Sequence, residues 1–113
     1  MTKKAQNLEM VAGDHADIVI AVTASNGVIK NLTGATIKWT LYDDANGAFV
    51  LNKTTGGGVT VTDGPGGVCT VALVPADTLA VAPGIYYHEC EVTVSGIVST
   101  VLIGHVTILA TKV

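Results

Sequence analysis

Apolar and polar residues alternate in short stretches along the 113-residue chain, and turn residues separate these stretches. Successive side chains of a β-strand point to opposite faces of a sheet, so the alternation predicts strands that each have one buried face. The predicted buried positions include Ile18, Ile20, Val22, Ile37, Trp39 and Leu41. No stretch keeps helical periodicity over two turns. Only ADTLAV (76–81) could form a single turn of helix, with Asp77 as a possible cap.

The turn sequences between the predicted strands favour a β-sandwich. DDANG (43–47) and DGPGG (63–67) are typical hairpin loops, because Gly and Asn accept positive φ. We predict an all-β fold, a single immunoglobulin-like antiparallel β-sandwich of seven to nine short strands, with Trp39 in its core. Tyr86 begins the next-to-last strand and is expected to act as a tyrosine corner. Gly104 lies inside the last strand and is expected to mark a bulge or bend.

The domain organisation is simple, because 113 residues correspond to one domain. Residues 13–113 are predicted to form the sandwich. Residues 1–12 form either an N-terminal arm or the first strand, with Leu8 and Met10 giving the segment a weak apolar face. An arm would add a strand to an exposed edge on a neighbouring subunit. A first strand would instead belong to the chain's own sandwich, and both alternatives stay open here.

The stretch YYHECEV (86–92) places four chemically active residue types in a row: His88, Glu89, Cys90 and Glu91. On a strand, His88 and Cys90 share one face with apolar neighbours, while the two glutamates share the other face. The four side chains therefore do not converge on one metal ion. We predict a buried, hydrogen-bonded histidine, a buried thiol and two solvated carboxylates.

No other motif points to catalysis or to a bound cofactor. Zinc-ligand spacings and the G-x-S-x-G motif are missing, and the glycine-rich loops lack the Gly-Lys-Ser/Thr ending of a phosphate loop. Asp43-Asp44 could bind calcium, but acidic residues are ordinary in a hairpin loop. We therefore predict no catalytic, cofactor-binding or metal-binding residues, and no enzyme activity. Cys69 and Cys90 are expected to be free and buried, although a disulfide between their strands is geometrically conceivable.

The charge pattern predicts that the protein has no nucleic-acid partner. The net charge is −3, and all six basic residues are lysines. Specific recognition of nucleic acid relies on the forked guanidinium of arginine, and non-specific binding needs a basic patch. The first ten residues lack the apolar region of a secretion signal, and polar residues interrupt the most apolar run, so no membrane partner is expected. We expect the protein to fold in the cytoplasm, where thiols stay reduced.

Three long stretches resemble a family of phage proteins. They are GATIKWTLYDDANGAFVLNKTTGGGVTVTD, GGVCTVALVPADTLAVAPGIYYHECEVT and STVLIGHVTIL. Together they resemble tailed-phage and prophage structural proteins whose Ig-like domain is similar to the N-terminal domain of phage baseplate upper proteins. The resemblance covers about residues 13–109 and carries no catalytic residues with it.

This resemblance implies a structural role in a tailed phage. The protein is expected to be a virion component, made in the cytoplasm of the bacterial host. It would decorate the capsid or join the tail through contacts with other virion proteins in a multi-copy assembly. The alternative is an adhesion or carbohydrate-binding sandwich. Such sites use exposed aromatic side chains, and Tyr42, Tyr87 and Phe49 are the residues that could serve.

Overall fold

The computed structural model of the protein describes residues 4–24 and 26–111. Within these ranges, the chain forms nine strands and one short helix. Their bounds are β1 Lys4–Ala5, β2 Leu8–Val11, β3 Ala16–Ala21, β4 Thr36–Asp43, β5 Phe49–Thr55, β6 Gly58–Asp63, β7 Val68–Leu73, α1 Pro75–Thr78, β8 Gly84–Val94 and β9 Ile97–Leu109. The predicted all-β fold is confirmed. The described residues include no helix long and apolar enough to cross a membrane.

The strands form one continuous sheet that bends over on itself. Their order is β1-β9-β8-β4-β5-β6-β7-β3, and β2 also pairs with β9. The sheet bends between β5 and β6, which are joined by residues 56–57. These two strands are parallel and share two register pairs, Thr54 with Gly58 and Thr55 with Val59. The hairpins of the sheet are antiparallel as predicted, whereas β1 and β2 run parallel to β9. The result is an all-β, sandwich-like fold.

The core lies between the two halves of the bent sheet. The six positions named above as predicted from the alternation are buried, and Trp39 is 0% exposed. Cys69 on β7 and Cys90 on β8 are also buried and unbridged, as predicted. Each thiol shifts the pKa of the other, so the two side chains lie close together and β7 and β8 face each other across the core.

The described part of the N-terminal segment pairs with the chain's own last strand. Lys4 is the register partner of Leu102, and Leu8 is the partner of Val106. Between β1 and β2, the N–H of Gln6 donates to the carbonyl of Ile103 over 2.9 Å. This is the arrangement expected of a first strand. The boundary after residue 12 stays a prediction, and residues 1–3 lie outside the described residues.

Gly104 does not mark a bulge, so that part of the prediction was wrong, and the alternative of a bend stays a prediction. The register of β8 and β9 shifts at another place, between Cys90 and Glu91, while Gly104 pairs regularly with His88. Glycine is needed because the chain at Gln6 passes directly over this position. A Cβ atom on Gly104 would overlap the carbonyl group of Gln6. The missing side chain makes room for a close approach of backbone to backbone.

The connection between β7 and β8 contains both local features predicted for it. The Tyr86 hydroxyl donates to the carbonyl oxygen of Ala82 over 2.5 Å, so the predicted tyrosine corner is confirmed. The helical turn begins at Pro75, and Asp77, its third residue, caps the turn because its side chain accepts from the N–H of the N-cap residue Val74. Asp77 accepts from the Val74 N–H over 2.8 Å and from Lys53 Nζ over 2.9 Å, which ties the turn to β5.

Burial acts to raise the pKa of the Asp77 carboxyl. The hydrogen bonds from Lys53 and Val74, and the positive charge of Lys53, outweigh this effect and hold the pKa below its usual value. The side chains of Lys53 and Asp77 are 18% and 17% exposed, so water screens this ion pair less than it would a pair on the open surface.

A substitution at Gly104 tests the close approach to Gln6. Gly104→Ala is expected to lower the free energy of unfolding by about 1–3 kcal/mol, because the added methyl group forces the two backbones apart. Gly57→Ala is the matched control, since the nearest atom to a Cβ there is the side-chain oxygen Thr54 Oγ1, at 3.3 Å. Urea denaturation measures both variants. Equal effects at the two glycines would contradict the contact.

The two thiols can be tested by chemical labelling. Cys69 and Cys90 should react slowly with a maleimide in the native protein and completely in denaturant without reductant, because both are 0% exposed and unbridged. Mass spectrometry counts the labels. Labelling in denaturant that appears only after addition of a reductant would show a disulfide instead.

Candidate functional site

The structure separates the four reactive residues of the stretch 86–92 onto two faces of β8. His88 and Cys90 are each 0% exposed and point into the core. Glu89 is half-buried and Glu91 is exposed on the outer face. Among the described residues, no group of three or more His, Cys, Asp or Glu side chains is arranged to hold a metal ion. One face of the stretch therefore packs into the core, and the two carboxylates lie on the opposite, outer face.

His88 is a neutral, doubly hydrogen-bonded residue. The indole N–H of Trp39 points at His88 Nδ1 over 3.0 Å, and His88 Nε2 lies 2.7 Å from the carbonyl oxygen of Gln6. An indole N–H only donates and a carbonyl only accepts, so Nδ1 accepts and the proton resides on Nε2. Burial lowers the pKa of His88, which outweighs the opposing effect of the Gln6 hydrogen bond. The imidazole therefore fastens the N-terminal segment to the core.

The buried thiol of Cys90 is a poor nucleophile. The hydrogen bond with Cys69, together with burial, raises the pKa of the Cys90 thiol far above its ordinary value. Since the thiolate is the reactive form, Cys90 stays protonated and inert. The inner face of β8 is therefore built for packing.

The outer face of the sheet carries four aromatic side chains in a row, which we call the aromatic row. Phe49 on β5 is the register partner of Tyr42 on β4, Tyr42 is the partner of Tyr87 on β8, and Tyr87 is the partner of His105 on β9. The ring centroids of Tyr42 and Tyr87 are 6.5 Å apart, and those of Tyr87 and His105 are 6.3 Å apart. Phe49 is 61% exposed. The row spans four adjacent strands.

An open groove of about 290 Å³ lies beside the centre of this row. We call it the acidic groove, and it is lined by Tyr42, Asp43, Asp44, Gly47, Tyr87 and Glu89. Three of these six residues are carboxylates, and none is a lysine. Burial raises the pKa of the Tyr87 hydroxyl, and the negative charge of Glu89 raises it further, so the field of the carboxylates reaches the aromatic wall.

Local hydrogen bonds hold the rim of the acidic groove in place. Asp43 Oδ1 accepts from the Ala45 N–H over 2.9 Å, which stabilises the hairpin turn between β4 and β5. Asp44 Oδ1 lies 3.3 Å from Nε2 of His105 on β9. The groove is therefore bounded by two paired strands on one side and by a hydrogen-bonded turn on the other.

Part of this surface was visible in the sequence. Tyr42, Tyr87 and Phe49 were identified as the aromatic side chains available to a ligand, and Asp43-Asp44 was placed in a hairpin loop. The sequence did not reveal that the aromatic residues lie on neighbouring strands. It also did not reveal that Glu89 lines the same groove as Asp43 and Asp44. The useful signal was alternation, since Tyr42, Tyr87 and Glu89 all occupy outward positions.

Comparison with known proteins finds solved structures that share this fold. The N-terminal domain of ORF48 of phage TP901-1 superimposes with a TM-score of 0.62, and the match covers 96% of this chain and 99% of that domain. The two sequences are 13% identical, so the similarity shows a shared fold. No protein-family model matches the sequence, and the search of curated proteins found no match.

The neutral state of His88 predicts that acid destabilises the protein. The unfolded chain takes up a proton on His88 near pH 6.5, whereas the folded chain does so only at lower pH. The stabilising contribution is therefore complete above about pH 6.5 and is lost as the pH falls towards the folded-state pKa, with a slope of up to about 1.4 kcal/mol per pH unit. Urea denaturation at a series of pH values measures this slope.

A substitution assigns the slope to His88. His88→Leu should remove it, while lowering the free energy of unfolding at neutral pH by about 1–3 kcal/mol for each partner left unpaired, Trp39 and Gln6. His15→Gln is the control, because His15 lies on the surface and should keep the slope. A slope that persists in His88→Leu would contradict the assignment.

Proposed function

We propose that this protein is a non-enzymatic structural component of a tailed bacteriophage particle. It is a small Ig-like module that decorates the capsid or joins the tail through protein–protein contacts. The observation that carries the proposal is the match in fold to the N-terminal domain of a phage protein, which extends over 96% of this chain. The resemblance of residues 13–109 to the N-terminal domain of baseplate upper proteins supports the same conclusion from the sequence alone.

The placement of the reactive side chains supports a non-enzymatic role. His88 and Cys90 are fully buried, and both nitrogens of the His88 ring are occupied by Trp39 and Gln6. A general base must reach the proton it abstracts, and a nucleophilic thiol needs a partly exposed setting. Neither residue meets these requirements. The proposed function therefore depends on contacts made by the protein surface and not on catalysis.

An immunoglobulin-like topology is part of the proposal. The tyrosine corner formed by Tyr86 and Ala82 supports it, because that contact is a hallmark of Ig-like sandwiches at the start of a late strand. The fully buried Trp39 supports it as well. The module is then a compact building block whose outer faces and loops remain available for contacts with capsid or tail subunits in many copies. The virion is its proposed location, after synthesis in the cytoplasm of the host.

The aromatic row favours a second candidate function, an adhesion or carbohydrate-binding module. Phe49, Tyr42 and Tyr87 lie on adjacent strands, as in a flat surface on which sugar rings stack. Under this reading the protein would bind a saccharide, with the carboxylates of the groove accepting hydrogen bonds from its hydroxyl groups.

Mass spectrometry of purified particles tests the structural role. Particles produced from the genome that encodes this chain would be purified and separated into heads and tails. The chain is expected in one fraction, in many copies relative to a single-copy portal or tail protein. A non-structural phage protein serves as the control for carry-over. Absence from both fractions would overturn the proposal.

A further inference from the structure

The acidic groove joins two features that usually recognise a positive charge. Its walls include the rings of Tyr42 and Tyr87, and its lining contributes the carboxylates of Asp43, Asp44 and Glu89. The negative face of an aromatic ring attracts a cation that lies within about 6 Å of its centroid. A carboxylate attracts the same cation and accepts its hydrogen bonds. Both features therefore favour the same kind of group at the same place.

We infer that the acidic groove receives an arginine side chain of a partner protein. The inference rests on the proposed function, since it names the chemistry of one contact between this module and another virion protein. The guanidinium group would stack on Tyr42 or Tyr87 and form hydrogen bonds to Glu89 or to the free oxygen of Asp43. Tyrosine and arginine are both enriched among the residues that dominate binding energy in protein interfaces.

The charge of the groove favours a cation over a neutral sugar. A saccharide can stack on the tyrosines but gains no Coulomb energy from three carboxylates. A cation gains that energy and also relieves the mutual repulsion of the carboxylates. Among the described residues around the groove, His105 is the basic group in contact with it, through the carboxylate of Asp44 and the ring of Tyr87. Lys38 pairs in register with Glu91, which is not part of the lining.

Arginine fits the groove better than lysine for geometric reasons. Its planar guanidinium stacks on an aromatic face and offers parallel N–H groups to both oxygens of one carboxylate, whereas the ammonium of lysine is a compact, strongly hydrated charge. This chain contains six lysines and no arginine. The bound side chain must then come from a different protein, so the contact is heterotypic.

The groove is already shaped for binding. The rings of Tyr42 and Tyr87 contact each other across the paired strands β4 and β8, and Asp43 accepts a hydrogen bond from the Ala45 N–H. Side chains fixed in this way lose little conformational freedom when a ligand arrives. A single isolated arginine would nevertheless bind weakly, because most of the affinity of an interface comes from the surrounding contacts.

An NMR titration of the full chain tests the inference. Isotope-labelled protein would be titrated with the blocked tripeptide acetyl-Gly-Arg-Gly-amide and with the same peptide carrying citrulline, a neutral isostere of arginine. The arginine peptide should shift the amide signals of Tyr42, Gly47 and Tyr87, with a dissociation constant of about 1–10 mM. The citrulline peptide should cause no comparable shifts.

Two carboxylate variants provide the matched comparison. Glu89→Gln should weaken binding of the arginine peptide by about tenfold, because it removes a charge from the lining. Glu91→Gln removes a charge from the same face of the same strand, two residues away, and should leave binding unchanged. The spectrum of each variant also reports that it is folded.

Several results would overturn the inference. Equal binding of the two peptides, no response to either, or equal loss in the two variants would each show that the groove does not select a guanidinium. Titration with neutral oligosaccharides forms a separate arm, and tighter binding of a sugar at the same amides would assign the groove to a carbohydrate. None of these results depends on whether the protein is found in virions, so failure here leaves the proposed function to its own test.

Discussion

The neutral imidazole of His88 is the connection on which the arrangement of the strands depends. It accepts a hydrogen bond from Trp39 on β4 and donates one to Gln6 between β1 and β2, while its own strand pairs with Gly104 on β9. A buried polar group without a partner costs more than a hydrogen bond gains, so each of these groups needs the others. The missing side chain of Gly104 allows Gln6 to reach the ring. One side chain thus fixes the position of the N-terminal segment relative to the core.

Alternation along single strands was enough to predict which side chains are buried. It placed Trp39 in the core and predicted which side chains of β8 point inward, because successive side chains along a strand point to opposite faces of the sheet. The spacing of Tyr86 from the preceding turn was enough to predict its corner. These features are local, so the sequence contains all the information that they need.

Alternation within single strands does not predict features that depend on which strands are neighbours. Gly104 was expected at a bulge or bend. A bulge and a close backbone approach both favour a missing side chain, and a single sequence does not distinguish them. The acidic groove needs Tyr42 to pair with Tyr87, and this depends on the register of β4 and β8. Glu89 was correctly placed on the outer face of its strand, although it is half-buried there, and its position beside Asp43 in the groove follows from the same register.

The parallel pairing of the terminal strands has a mechanical consequence. Lys4 lies beside Leu102 and Val11 lies beside Leu109, so β1, β2 and β9 run in the same direction. A force that pulls Lys4 and Leu109 apart therefore slides the strands along each other and loads their hydrogen bonds together, in shear. An antiparallel terminal pair pulled from one end would instead open one bond at a time, like a zip. The topology thus suits a module that must stay folded under tension applied through its two ends.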